Sequence, residues 1–309
     1  MPLIVSVHGA ANMTLLRERL PGCTVREVAG LDASDAALAG RAEVLVLRSG
    51  QQLDAARLEQ WPRLRHVIRA GSGLDGIDTE ALTARGIDLH RNPHPAAGAV
   101  AEWALAALLS LARRIPYGHA TLTAGQHRKQ ECLGPPVSAM RLAIWGAGPV
   151  GRACGDLLAP YVAEVAYAAW PSLPEHLPSK PPEALPTWAD VHVVALPLTR
   201  DTWHTVGPRF LSTARPRRPL LICVGRLATL DRRACLTALV RGHLGGLALD
   251  PVEAADLPLW SDNLPPEPVN LLATPHIGAQ RLDVRARLDE WVAQTAVRAL
   301  KSTEKSTTR

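Results

Sequence analysis

The chain opens on a short apolar run, LIVSVH at residues 3–8, and meets a second, EVLVLR, at 43–48. Between them, residues 12–20 place apolar and polar positions at helical spacing. RHVIR at 65–69 and IDLH at 87–90 predict two more strands, with a helix over 78–85 between them. Strands that alternate with helices predict a parallel sheet with helices on its faces.

A long stretch at 97–113 is apolar nearly all round and predicts a helix buried on several sides. The strand pattern then restarts, with runs at 141–145, 163–168, 191–196, 219–224, 245–249 and 270–273. These predict a second α/β unit, larger than the first. The segment 170–186 carries Pro171, Pro174, Pro178, Pro181, Pro182 and Pro186, so no regular helix is expected there. The polar tail, KSTEKSTTR, is expected to fray.

Composition narrows the class. The chain has 309 residues, of which 47% are apolar, enough for two domains with real cores. The formal charge of +5 comes almost wholly from scattered arginines; lysine stands only at 129, 180, 301 and 305. No basic tract with interleaved aromatics suggests nucleic acid, while a basic surface suits an anionic substrate. Five cysteines, Cys23, Cys132, Cys154, Cys223 and Cys235, are widely spaced with no CxxC pair. Free thiols in a reducing compartment are expected, with no metal site. The first residues lack the basic segment of a signal peptide. The longest apolar stretch carries Glu102 and is short for a bilayer span, so a soluble cytoplasmic protein is expected.

The segment RLAIWGAGPVGRACG at 141–155 supplies candidate chemistry. Gly146-Ala147-Gly148-Pro149-Val150-Gly151 fits GxGxxG, with a strand before it and a helix able to follow. Gly146 permits the tight turn, Gly148 lets backbone approach a pyrophosphate, and Gly151 lets the helix pack on the strand. The helix N-terminus then offers unpaired N–H groups to phosphate. The acid that would hold the ribose of NAD is expected about 20 residues on. Ala169 stands there, with no arginine beside it for NADP, leaving Ser172, His176 or Lys180 as candidates. The cofactor is NAD or NADP, NAD slightly favoured.

Several segments together resemble the D-isomer-specific 2-hydroxyacid dehydrogenases, the family of phosphoglycerate dehydrogenase. RAGSGLDGID (69–78) is similar to the family's substrate-side glycine loop, and VAEWALAALLSLARRIP (100–116) to its interdomain helix. GAGPVGR resembles its cofactor loop, and ALPLTRDTWHTVG (195–207) the segment beside the nicotinamide. ICVGRLATLDRRACLTAL (222–239), LALDPVEAADLPLW (247–260) and TPHIGA (274–279) resemble the segments carrying the catalytic Arg, Glu and His.

The resemblance implies an α/β fold of two Rossmann-like or flavodoxin-like parallel-sheet domains. The substrate-binding domain would be discontinuous, 1–97 plus 281–309, around an NAD(P)-binding Rossmann domain at 98–280. It implies a homodimer made chiefly through the Rossmann domain; composition alone suggests no nucleic-acid or membrane partner. Arg226 would bind the substrate carboxylate and carbonyl oxygen, and His276 would be the general acid–base. Arg48, Ser49, Ser72 and Gly73 would contact substrate. Pro197, Thr202, Val224, Asp250 and Gly278 would join Gly146, Gly148, Pro149, Val150 and Gly151 around the cofactor. The chemistry suits these residue types: a guanidinium anchors a carboxylate bidentately, and a histidine can give and take a proton near neutral pH.

The sequence departs from the family pattern in places. The catalytic Glu falls at Ala255, with Glu253 and Asp256 flanking it in a shortened loop. Either Glu253 takes the role or the acid is absent. Gly76, Arg91 and Ala96 stand where asparagine is common in the family. Arg48, Arg69 and Arg91 lie at or near predicted strand ends; if they converge, they favour a second anionic group such as a phosphonate. His94 could touch substrate, though a turn histidine is the simpler reading. The expected function is hydride transfer between a nicotinamide and C2 of a small anionic 2-hydroxy or 2-oxo acid. The alternative is a cofactor-binding or regulatory homologue with weakened catalysis.

Overall fold

The computed structural model describes residues 1–31, 36–71, 73–92, 96–170, 173–253, 256–258 and 267–307. The chain divides into two compact units, Met1–Pro95 with Arg281–Arg309, and Ala96–Gln280.

The first unit runs β1 (Leu3–Val7), α1 (Met13–Arg19), β2 (Thr24–Val28), α2 (Ala36–Ala39), β3 (Val44–Leu47), α3 (Ala55–Glu59), β4 (His66–Arg69), α4 (Thr79–Ala84) and β5 (Asp88–Arg91). Its strands form a five-stranded parallel sheet in the order β2-β1-β3-β4-β5. Every residue of β1, β3 and β4 is buried, as expected for central strands covered on both faces. Side chains start the helices: Asn12 Oδ1 accepts from the N–H of Thr14 and Leu15, Asp54 from Arg57, and Asp78 from Ala81.

The second unit runs α5 (Ala97–Ala112), α6 (Ile115–Thr123), β6 (Arg141–Trp145), α7 (Pro149–Leu158), β7 (Glu164–Ala168), β8 (Ser179–Lys180), α8 (Leu185–Trp188), β9 (Val191–Val194), α9 (Pro208–Ala214), β10 (Leu220–Cys223), α10 (Arg232–Val240), β11 (Gly246–Leu249) and β12 (Leu271–Ala273). Its seven-stranded sheet has the order β12-β11-β10-β9-β6-β7-β8, and all pairs are parallel. Ala104, Ala107, Leu108 and Leu111 of α5 pack with Leu142, Ile144, Ile222 and Ala248 of this sheet in one apolar cluster. The strand order reverses between β6 and β9. Open α/β sheets bind ligands at the carboxyl ends of strands at such a point.

The chain then returns to the first unit as α11 (Leu282–Thr307). Leu288, Val292, Ala293, Ala296 and Leu300 recur at helical spacing and enter the first unit's core. The two-unit parallel-sheet α/β class read from the sequence is the class the chain adopts. The expected fraying of the tail is corrected: α11 continues through Thr307. A helix already nucleated by its packed face extends cheaply, and Lys301, Glu304 and Lys305 are good helix formers. Among the described residues no helix is long and apolar enough to cross a membrane.

Candidate active site

The turn after β6 is built for glycine. Gly146 has φ +102°, and a Cβ there would meet the Ala195 carbonyl oxygen at 2.9 Å. A Cβ on Gly151 would collide with the Gly146 carbonyl oxygen. Gly148 is different: nothing lies within 4 Å of where its Cβ would stand. Gly148 is also the N-cap of α7, with no side chain capping the helix. Pro149 fills the first helical position, where its missing N–H costs nothing. A ten-residue helix thus presents its N-terminus beneath an open glycine, which fits a pyrophosphate. Arg152 Nη1 donates to the Ala147 carbonyl at 2.9 Å and braces the loop.

Around the switch point the expected cofactor residues shape backbone. Thr202 is buried, and its hydroxyl donates to the Pro197 carbonyl at 2.6 Å and accepts from Thr199 N–H at 2.7 Å. Its hydroxyl closes the 197–202 turn. The N–H groups of Val224 and Gly225 both donate to Val194 at 3.0 Å. At the end of β7, Lys180 lies 3.9 Å from Glu164 and over the Trp188 ring. His176 is exposed, and Ser172 lies outside the described residues.

Arg226, Glu253 and His276 follow β10, β11 and β12, three neighbouring strands, at the same edge of one sheet. His276 Nδ1 lies 2.7 Å from Glu253 Oε1. The Glu253 N–H donates to Asp256 Oδ2 at 2.8 Å, and Asp256 in turn pairs with Arg232 of α10. That chain of contacts holds the shortened loop so that Glu253 faces the imidazole. Ala255 lies outside the described residues. Arg226 Nη1 donates to the Gly225 carbonyl at 2.9 Å, and the Arg226 carbonyl accepts the Thr229 hydroxyl at 2.6 Å. Beneath it, burial pushes the Cys223 thiol up to about 12, so this sulfur is inert at neutral pH.

His276 has φ +56°, a left-handed conformation that costs a non-glycine residue roughly 1–3 kcal/mol. Asp250 holds it there. The Asp250 carbonyl accepts the His276 N–H at 2.7 Å. Its Oδ1 accepts from the Thr274 hydroxyl at 2.7 Å and Ile277 N–H at 2.8 Å, and its Oδ2 from Gly278 N–H at 2.8 Å. A Cβ on Gly278 would stand 2.6 Å from Asp250 Oδ2, so glycine is needed for this closure. The sequence had suggested Asp250 as a cofactor contact; its work in setting the His276 loop was not legible there.

In the first unit, Arg48 is exposed and lies along Gly9, and Ser49 is half-buried. Arg69 is buried; its Nε donates to the Gly73 carbonyl at 2.9 Å and its Nη1 to the Ala70 carbonyl at 2.7 Å. Gly71, with φ +139°, leaves room for that guanidinium. Of Arg48, Arg69 and Arg91, suggested to act together on an anion, Arg69 gives two of its N–H groups to backbone carbonyls beside the glycine loop. Ser72 and His94 lie outside the described residues.

Residues 105–278 match the family model for the D-isomer specific 2-hydroxyacid dehydrogenase, NAD binding domain. The chain belongs to this family. It is 29% identical to a glyoxylate reductase of Thermococcus gammatolerans, over 82% of this chain and 79% of the relative. It is 30% identical to glyoxylate/hydroxypyruvate reductase B of Erwinia tasmaniensis, over 92% of each chain. The D-lactate dehydrogenase of Aquifex aeolicus, solved with NAD and lactic acid, shares the fold at a TM-score of 0.84 and 20% identity, covering 98% of this chain and 96% of that one. The dehydrogenase described here is thus a nicotinamide-dependent enzyme acting on 2-hydroxy or 2-oxo acids.

Proposed function

We propose that this dehydrogenase reduces a small 2-oxo acid with one carboxylate, of the glyoxylate or hydroxypyruvate kind. The observation that carries the reading is the 2.7 Å contact between His276 Nδ1 and Glu253 Oε1. A carboxylate on Nδ1 fixes that nitrogen as the donor and leaves Nε2 for the substrate oxygen. A nicotinamide held by the 146–151 loop would supply the hydride to C2. His276 gives its Nε2 proton to the oxygen as charge develops there, and takes it back in the oxidative direction. Glu253 supports the imidazolium, and Arg226 holds the substrate carboxylate and polarises its carbonyl. Gly146, Gly148, Val150 and Gly151 would hold the pyrophosphate, with Pro197, Thr202, Val224, Asp250 and Gly278 around the nicotinamide half.

The first unit would bring substrate contacts through Arg48, Ser49, Ser72 and the Gly73 N–H. Arg69 gives two of its N–H groups to backbone carbonyls, which supports a monocarboxylate over a phosphonate-bearing acid. The Glu253–His276 pair weighs against a catalytically weakened homologue. A homodimer, carried over from the family resemblance, and a cytoplasmic location, carried over from the cysteine pattern and the N-terminal sequence, complete the reading. Exposed Leu109, Ile115, Leu122 and Leu133 support an interface on that part of the second unit.

Titration with NADH and with NADPH, followed by tryptophan fluorescence, tests the cofactor site. Trp145 precedes the glycine loop and donates from Nε1 to His192 Nδ1, so energy transfer to a reduced nicotinamide is expected. Ala169 offers no carboxylate to select NAD, so both are needed. The cofactor that binds is then used against glyoxylate, hydroxypyruvate and a phosphonate-bearing 2-oxo acid. Turnover of the first two supports the reading; binding of neither cofactor by folded protein, or preference for the phosphonate, overturns it.

A further inference from the structure

The parallel register of β4 and β5 sets His66 opposite Asp88 and Ile68 opposite His90. His66, Asp88 and His90 therefore share one face of the sheet at its edge strand. His66 Nδ1 lies 3.3 Å from Asp88 Oδ2 and 3.4 Å from His90 Nε2. All three atoms fall within 4.8 Å of one another. A hydrogen on His66 Nδ1 can point well at the carboxylate or at His90, and a hydrogen on His90 Nε2 leaves a lone pair facing the carboxylate. Both contacts at His66 are within hydrogen-bond reach, and the three atoms also lie close enough together to share one cation. A cation among them suits all three.

We propose that His66, Asp88 and His90 form a binding site for a divalent transition metal of the zinc class. With metal–ligand bonds near 2.1 Å, neighbouring ligands of a tetrahedral zinc stand about 3.4 Å apart, the spacing already present at His66. Two imidazoles and one carboxylate select zinc, cobalt, nickel or copper over magnesium or calcium, which take oxygen ligands. Asp88 is exposed, leaving the fourth position to water. The charges of Arg65 and Glu43 are felt at His66, and those of Asp88 and Arg298 of α11 at His90.

The metal would tie the edge strand to β4. β4 leads into Arg69 and the loop at Gly71 and Gly73, and β5 ends at Arg91. Its role is to brace this sheet edge, and it takes no part in hydride or proton transfer.

Full-length protein stripped with chelator is titrated with zinc against a chromophoric chelator, and with cobalt by visible absorption. Asp88→Asn and His90→Gln remove ligands that are exposed or half-buried, so the core is spared. One zinc per chain at micromolar affinity or tighter is expected, weakened at least about tenfold in each variant. Zinc should raise the Tm of the wild type and not of the variants. His276→Gln should bind zinc as the wild type does, which separates this site from the His276–Glu253 pair. Failure of folded wild type to bind micromolar zinc, or equal binding by Asp88→Asn and His90→Gln, overturns the proposal.

Discussion

Replacing Asp250 with asparagine should loosen the His276 loop while leaving the chain folded. Asp250 is 2% exposed and accepts three hydrogen bonds through its carboxylate. In the variant the amide oxygen can keep Thr274 and Ile277, but the amide nitrogen then faces the Gly278 N–H, a donor against a donor. Losing one charge-assisted bond costs about 1.5–3 kcal/mol, and a buried unsatisfied N–H roughly 1–3 kcal/mol, two overlapping penalties. Relaxation of His276 from φ +56° returns about 1 kcal/mol. The net expectation is a loss of about 2–3 kcal/mol of stability. A displacement of the imidazole by about 1 Å should lower kcat by roughly 10²-fold. The assays are urea denaturation, steady-state kinetics and the Kd of the reduced cofactor. The Kd decides between roles: if Asp250 works by setting the loop, kcat falls and Kd moves little. A variant within about 0.5 kcal/mol of wild type, with kcat unchanged, would refute the reasoning.

Other perturbations separate fold from chemistry. Glu253→Gln should lower kcat of the reductive reaction by about 10–100-fold with the cofactor Kd unchanged; kinetics at pH 7 check this. Gly148→Ala should fold normally, since open space surrounds that position, yet weaken NAD(P)H binding at least about tenfold in a fluorescence titration. Gly151→Ala, which drives a methyl into the Gly146 carbonyl, should instead lower the Tm. Burial holds His192 at about 3, below its ordinary 6.5. The unfolded chain therefore takes up a proton that the folded chain refuses. This group's contribution is complete above pH 6.5 and is lost as pH falls from there towards 3; by pH 5 it removes roughly 2 kcal/mol. Urea denaturation across that range should show the slope, and His192→Leu should flatten it by about one proton.

What the sequence revealed followed burial. β1, β3, β6, β9, β10 and β11 are covered on both faces, so LIVSV, VLVL and RLAIW stand out as mostly apolar runs. β2, TVREV, did not: it is an edge strand with Arg26 and Glu27 in solvent, and its alternation is diluted. β8 has two residues in a proline-rich stretch, where the Pro178 and Lys180 carbonyls accept from Tyr167 and Ala169 N–H. At the site, the glycine loop was legible because steric demands act residue by residue. Glu253 was legible as a neighbour of Ala255, but which acid faces His276 depends on the Asp256–Arg232 tie across the loop. Arg69 looked like an anion ligand from its place at a strand end, and its bonds to the Ala70 and Gly73 carbonyls were not legible there. His66, Asp88 and His90 meet through strand register, which no local pattern encodes.

The central claim is that His276 carries the proton of a nicotinamide-dependent 2-oxo-acid reduction. Consumption of reduced nicotinamide by wild type and His276→Gln, with glyoxylate or hydroxypyruvate at saturating cofactor, tests it most directly. The account predicts turnover by the wild type, and a fall of at least about 10²-fold in the variant while cofactor Kd stays the same. Comparable rates in the two proteins, or no turnover by wild type that binds cofactor, would contradict it.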